Sequence, residues 1–353
     1  MKKHTYAFLA AIAACGFAQA AETAYTTPVG YVSLGNTTGP AIPANTDAMF
    51  TIPLDKAAVF AGTVSSVDTG NDIITITGTT PLGATDYTAT PHIVKIGSGA
   101  KSGLIGTVLE NDGSTITIAA VGGEDLSGIV SGDKIEIQTA WTLGSLFEGV
   151  TVPTATQVLA WSGANPGVNL AADEIYEYEA LEAGKFADTS DYSDASDKIM
   201  FPGEAFIVRT PPDAESFVGS IPSFVVTGTV PTSNSRIILT NPDDTQGQDN
   251  FVGYVSPVGS TIGDMTTTNA SAGDQILLLD VPGEPLIENL NKGASVILEY
   301  EALEAGKWAN TGDYSDASDY FVPAGQGLIY RVAVGVASPT ITWTSQPVYV
   351  PTL

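Results

Sequence analysis

Seven aspartates come at a regular step: Asp188, Asp191, Asp194 and Asp197, and then Asp313, Asp316 and Asp319. Calcium takes about six to eight oxygen ligands, and a loop dense in Asp and Ser supplies carboxylates, carbonyls and hydroxyls. These seven are therefore the candidate calcium ligands. Their order lacks the alternating Asp-x-Asp-x-Asp-Gly of an EF-hand, and a step of three suits a turn better than a closed ring of ligands. A solvated surface turn is the competing reading.

Aromatic side chains offer a second chemistry, because Trp and Tyr on a β-surface stack on sugar rings. Trp161 and Trp308 are the candidate sugar-binding residues, with Trp343, Tyr178 and Tyr300 in the same parts of the chain. The competing reading is cross-strand and core packing. Catalysis has few carriers. Of the two histidines, His4 lies in an expected leader and His92 stands in Thr-Pro-His-Ile-Val with no cysteine or second histidine near it. That argues against zinc and Ser-His-Asp sites. Glu177, Glu179, Glu299 and Glu301 are a formal glycosidase carboxylate set, but their alternation with tyrosine reads as the wet face of a hairpin. No phosphate-cradling glycine motif is present.

The elements that must position these residues come in two copies. Residues 177–209 read EYEALEAGKFADTSDYSDASDKIMFPGEAFIVR and residues 299–331 read EYEALEAGKWANTGDYSDASDYFVPAGQGLIYR, identical at 21 of 33 positions without a gap. Gln157-Val158-Leu159 recurs as Gln275-Ile276-Leu277, and Val29-Gly30-Tyr31-Val32-Ser33 as Val252-Gly253-Tyr254-Val255-Ser256. Such self-similarity marks a duplicated structural unit. Ala, Leu and Glu in EYEALEAGK favour a helix. The period-two alternation of Tyr and Glu and the closing glycine point instead to a hairpin.

The first copy is longer, and the excess falls at residues 60–139. There, Gly62-Thr63-Val64 leads through Asp68-Thr69-Gly70-Asn71 into Ile73-Ile74-Thr75-Ile76, and Gly106-Thr107-Val108 through Asn111-Asp112-Gly113 into Thr115-Ile116-Thr117-Ile118. Turn residues between β-branched runs are hairpin signals. A small inserted barrel of five or six strands is predicted.

The first residues have the parts of a secretory signal: Lys2 and Lys3, an apolar stretch over residues 7–17, and Ala18-Gln19-Ala20 as cleavage site. The mature chain is expected to start at Ala21, in a secreted, cell-surface or periplasmic location. Ile12-Ala13-Ala14-Cys15 also fits a lipoprotein cleavage site, which makes a lipid anchor at Cys15 the alternative. No later stretch has the length of a membrane-crossing helix. Apart from Cys15 the chain has no cysteine, so stability must come from buried apolar area. Its formal charge of −26 becomes two units more negative with the leader's lysines removed, which argues against nucleic acid and anionic membranes as partners.

The Thr-Pro-Val-Gly-Tyr-Val segment at residues 27–32, the Tyr-x-Tyr hairpin running to Gly-x-Trp at 299–308, and the Val-Pro-Ala-Gly turn into an Ile-x-Arg strand at 322–331 resemble an uncharacterised family of secreted bacterial β-proteins. The resemblance spans most of the mature chain and implies export and β-architecture. It carries no activity, cofactor or catalytic residue. The segment after the hairpin tryptophan, often basic in that family, is acidic and serine-rich here.

These readings predict an all-β chain: a signal peptide (1–20), a first β-unit (21–59 with 140–240), an inserted barrel (60–139) and a second β-unit (241–353) of sandwich or barrel type. The function expected is that of a non-catalytic secreted or surface structural protein that associates with itself through β-edges, with residues 21–27 as a strand for exchange. The alternative is an extracellular carbohydrate-binding protein, stabilised by calcium, whose partner is a surface polysaccharide.

Overall fold

The computed structural model describes residues 28–349 apart from 164, 216–217, 242–244, 269, 336–339 and 348. The leader, Cys15 and the segment 21–27 lie outside the described residues. The regular structure is almost all strand, 39% against 3% helix, as the sequence predicts. Two five-stranded antiparallel sheets share one strand order. The first runs Phe186–Asp188, Glu174–Tyr178, Gln157–Ala160, Ala205–Arg209, Asp47–Thr51; the second runs Trp308–Asn310, Val296–Tyr300, Gln275–Leu278, Gly327–Val332, Gln248–Gly253. The segment EYEALEAGK is a hairpin in both copies, with Tyr178 opposite Phe186 and Tyr300 opposite Trp308.

Register identifies equivalent residues. Asp47 pairs with Arg209 and Asp249 with Arg331, so Asp47–Thr51 corresponds to Gln248–Gly253. This corrects the second proposed repeat. Val29–Ser33 pairs with Val225–Thr229 in a separate two-stranded sheet, whereas the second Val-Gly-Tyr-Val-Ser begins within Gln248–Gly253. The two pentapeptides occupy different places, and five residues of common β-type are too short a signal to fix a register. The boundary between units also shifts. Ser235–Thr240, assigned by sequence to the first unit, pairs with Thr340–Ser345 of the second.

Each sheet buries one face in its own core. Phe50, Tyr176, Phe186, Phe206 and Phe224 fill the first core, and Tyr254, Leu298, Trp308, Tyr330 and Trp343 the second. The opposite faces pack on each other through Met49, Leu159 and Ile207 against Leu277, Leu279 and Ile329. Stacked sheets of this kind bury apolar residues on both faces of each strand, which is why Asp47–Thr51 is buried at every position.

The contact between units is reciprocal. The Asp47 carboxylate accepts two hydrogen bonds from Arg209 (2.7 and 2.8 Å) and one from the backbone N–H of Asn291 (2.6 Å), while Arg209 donates to the Asn291 side chain at 2.7 Å. Across the pseudo-twofold, Asp249 accepts from Arg331 (2.6 and 3.0 Å) and from Asn169 N–H (2.7 Å), and Arg331 donates to the Asn169 side chain at 2.8 Å. Each asparagine sits at positive φ, 54° for Asn169 and 52° for Asn291, a conformation Asn tolerates better than most residues. Thus each unit's loop covers the other unit's edge strand.

The predicted barrel is a closed six-stranded one, built from strands between Ala58 and Thr139 and filled by Val64, Ile74, Ile76, Val94, Ile96, Ile116, Ile118, Ile135 and Ile137. It enters the first unit where the second has a short turn at residues 257–259. Trp141 Nε1 closes the base of the insertion by donating to Leu54 O at 2.9 Å. The buried pair Lys95 and Asp55 (2.6 Å) ties the barrel to the first unit. Glu124, held by Lys101 at 2.6 Å and Arg236 at 2.5 Å, ties it to the second. Burial opposes the Glu124 charge, but these two cations outweigh it and lower its pKa.

Candidate functional site

The sequence-predicted calcium ligands do not converge. Among the described residues no group of three or more His, Cys, Asp or Glu is arranged to hold a metal ion. The aspartates instead cap their own loops. Asp188, Asp191, Asp194, Asp313 and Asp316 each accept a hydrogen bond from the backbone N–H two residues later, between 2.8 and 3.0 Å. The step of three is a run of Asx-turns. Hydrogen bonds from Ser196, helped by Lys185 at 3.0 Å, hold the Asp194 carboxyl down at about 2. Asp197 and Asp319 lie at the ends of these loops, beside Lys198 and Tyr320.

The two tryptophans part company. Trp308 is buried in the second core between Tyr300 and Tyr330, with ring centroids at 5.3 and 5.9 Å, so it offers no face to a sugar. That corrects its place among sugar-binding candidates. Trp161 is partly exposed, stacks on Phe251 at 3.6 Å and 6°, and lines a cleft. His92 belongs to the barrel, bonded to Thr90 O at 2.8 Å and edge-on to Tyr87.

This cleft, about 500 Å³, is bounded by the first sheet, the barrel turn Val121–Gly123 and the second unit's strands Ser235–Thr240 and Gln248–Gly253. The turn reaches that position because Gly122, at φ 70°, lies so close to Ile238 that a Cβ there would stand 2.8 Å from it. Besides Trp161 and Phe251 the cleft presents Glu174, Lys198, Glu204 and Asp249. Three of these charges are accounted for. Lys198 donates to Glu174 at 2.7 Å, and Asp249 is held by Arg331. Burial opposes the Lys198 charge, yet Glu174 wins and raises its pKa.

Glu204 is different. Its carboxylate makes no hydrogen bond or ion pair, although its backbone oxygen accepts from Thr51 Oγ1 at 2.9 Å. The side chain is open to solvent in the cleft while protein crowds it from the remaining directions. That crowding, resisted by Lys198 and assisted by Glu174, pushes its carboxyl up to about 7. Water filling the cleft moderates the effect.

A second cavity of about 360 Å³ lies at the pseudo-equivalent place in the other unit. Five of its equivalent positions, read from the strand registers, carry no charge, although Asp280, at the place of Ser162, and Glu284 also line this cavity. Gln326 replaces Glu204, Val296 replaces Glu174, Tyr320 replaces Lys198, Leu279 replaces Trp161 and Met49 replaces Phe251. Gln326 is engaged through Nε2 with Asp280 O at 3.2 Å. Asp280 is itself paired with buried Lys292 at 2.6 Å. One fold position has thus diverged into an aromatic-walled cleft that leaves the Glu204 carboxylate unpaired and a cavity where Gln326 stands in its place, hydrogen-bonded to Asp280 O.

Sequence reasoning named Trp161 but missed Glu204, Glu174, Lys198 and Phe251. The signal was available in the aligned repeats, where Glu204 against Gln326 and Lys198 against Tyr320 are differences of charge within a conserved frame. Comparison with protein families, with curated proteins and with solved structures finds no match to this chain. Among the described residues no helix is long and apolar enough to cross a membrane.

Proposed function

We propose that the chain is exported through its leader and acts outside the cell as a non-catalytic glycan-binding protein, with the first unit's cleft as its site. The observation that supports this is the asymmetry of the two cavities. Only the first has an aromatic pair at its wall together with a carboxyl able to donate and accept at neutral pH and a lysine–carboxylate pair, a set suited to hydroxyl groups beside a sugar face. Trp161→Ala should weaken retention on polysaccharide gels about tenfold, with folding intact by circular dichroism. Unchanged retention would remove Trp161 from the site, and no retention of the wild type by any gel would dispose of the reading.

A second reading, a surface structural protein that associates with itself, is favoured by one feature. In the two-stranded sheet Val29–Ser33 and Val225–Thr229, Val29 and Tyr31 are 80% and 72% exposed. The five-stranded sheets, by contrast, have their outer strands covered by loops. Sedimentation of the wild type and of Tyr31→Lys at high concentration tests it. A wild type that stays monomeric counts against association.

A further inference from the structure

From the charge balance of the cleft, and resting on the glycan reading above, we infer that the saccharide it takes is an amino sugar, bound with its ammonium group against Glu204 and its ring beside Trp161. Four charged groups line the cleft: Glu174 and Lys198 from the first unit, Asp249 from the second, and Glu204 itself. Lys198 cancels Glu174 at 2.7 Å, and Arg331 cancels Asp249 with two hydrogen bonds. The turn Val121–Gly123 contributes no charge. One carboxylate is left over, with no hydrogen bond or ion pair, open to the water of the cleft beside the Trp161 wall. A ligand carrying a single positive charge completes the balance, and a neutral sugar does not.

The rest of the molecule agrees. A surface with a formal charge of −26 over the full chain raises the local concentration of cations around the mouth of the cleft. The second unit places Gln326 at the same position, its side chain donating to Asp280 O of the same unit. The duplication therefore supplies its own control: the fold accepts glutamine there, and only the first unit keeps the charge. Crowding that disfavours an isolated anion at Glu204 is relieved when an ammonium group arrives, so binding expels the proton the carboxyl holds near neutrality.

The experiment is calorimetric titration of the full chain at about pH 6.5 with an N-acetylglucosamine trimer in which one residue is the free amine and with its fully N-acetylated counterpart, for wild type and Glu204→Gln. The wild type is expected to bind the amine form at least about tenfold more tightly, a difference of about 1.4 kcal/mol. Titrations in buffers of different ionisation enthalpy should show proton release with the amine trimer. Glu204→Gln should lose both the preference and the proton release while still binding the acetylated trimer. Equal affinity for the two trimers in the wild type, or a preference that survives in Glu204→Gln, overturns the amino-sugar assignment and leaves the glycan reading standing. Failure of every trimer to bind overturns both.

Discussion

The first and second units share strand order, register, edge-covering loop and the Asp–Arg–Asn contact at their junction, yet they differ in what they leave open to solvent. At the junction the duplicated residues are the same, because each must satisfy a buried carboxylate: the Asp47 and Asp249 side chains are each 2% exposed. At the cavities the residues differ at five equivalent positions, and the carboxylates and the lysine among them belong to the first unit, while the second cavity draws its carboxylates from Asp280 and Glu284. Where geometry demands a residue, duplication preserved it; where geometry is permissive, the copies drifted apart. The barrel sharpens the contrast, since its turn walls the first cavity and has no counterpart at the second.

The symmetry of the junction can be broken from either side. Arg331→Ala leaves Asp249 buried without its guanidinium and should cost about 3–4 kcal/mol in denaturant unfolding. Arg209→Ala should cost the same within about 1 kcal/mol, and a silent result for either would show that the two contacts are not equivalent. Trp308→Ala empties part of the second core and should cost about 3–5 kcal/mol. It should leave saccharide affinity unchanged, which separates it from Trp161→Ala.

Smaller effects sharpen the same comparison. Asn169→Ala and Asn291→Ala each remove a hydrogen bond to an arginine and a residue suited to positive φ, and each should lose about 1–2 kcal/mol. The smallest effect lies in the cleft. Because the Glu204 carboxyl is raised in the folded chain, its contribution is fully present below its unfolded pKa and is lost as pH rises through about 7. Glu204→Gln should therefore melt about 1–2 °C above the wild type at pH 8 and at the same temperature at pH 4. An offset independent of pH would mean that Glu204 titrates normally.

Much of the fold was legible because its signals are local. Period-two alternation gave the hairpins, and Asp112-Gly113 between isoleucine runs gave a barrel turn, in which Asp112 accepts from Ser114 and Thr115. The 33-residue repeat gave the duplication. What failed depended on distance or on burial. Five residues of Val-Gly-Tyr-Val-Ser were not enough to tell one strand from another, and nothing local places Ser235–Thr240 against Thr340–Ser345 about a hundred residues later. The aspartates announced themselves by number, yet five of the seven serve the backbone two residues on. Glu204 went unnoticed because a lone glutamate after a Pro-Gly turn acquires meaning only when the barrel and the second unit close around it.

The most direct test of the cleft's specialisation is hydrogen exchange of the full chain with and without a saturating N-acetylglucosamine trimer that carries one free amine. The account predicts slowed exchange confined to Glu174–Tyr178, Ala205–Arg209 and the barrel turn Val121–Gly123, with Val296–Tyr300 unchanged. Equal protection in both units, or protection only at the second, would contradict it.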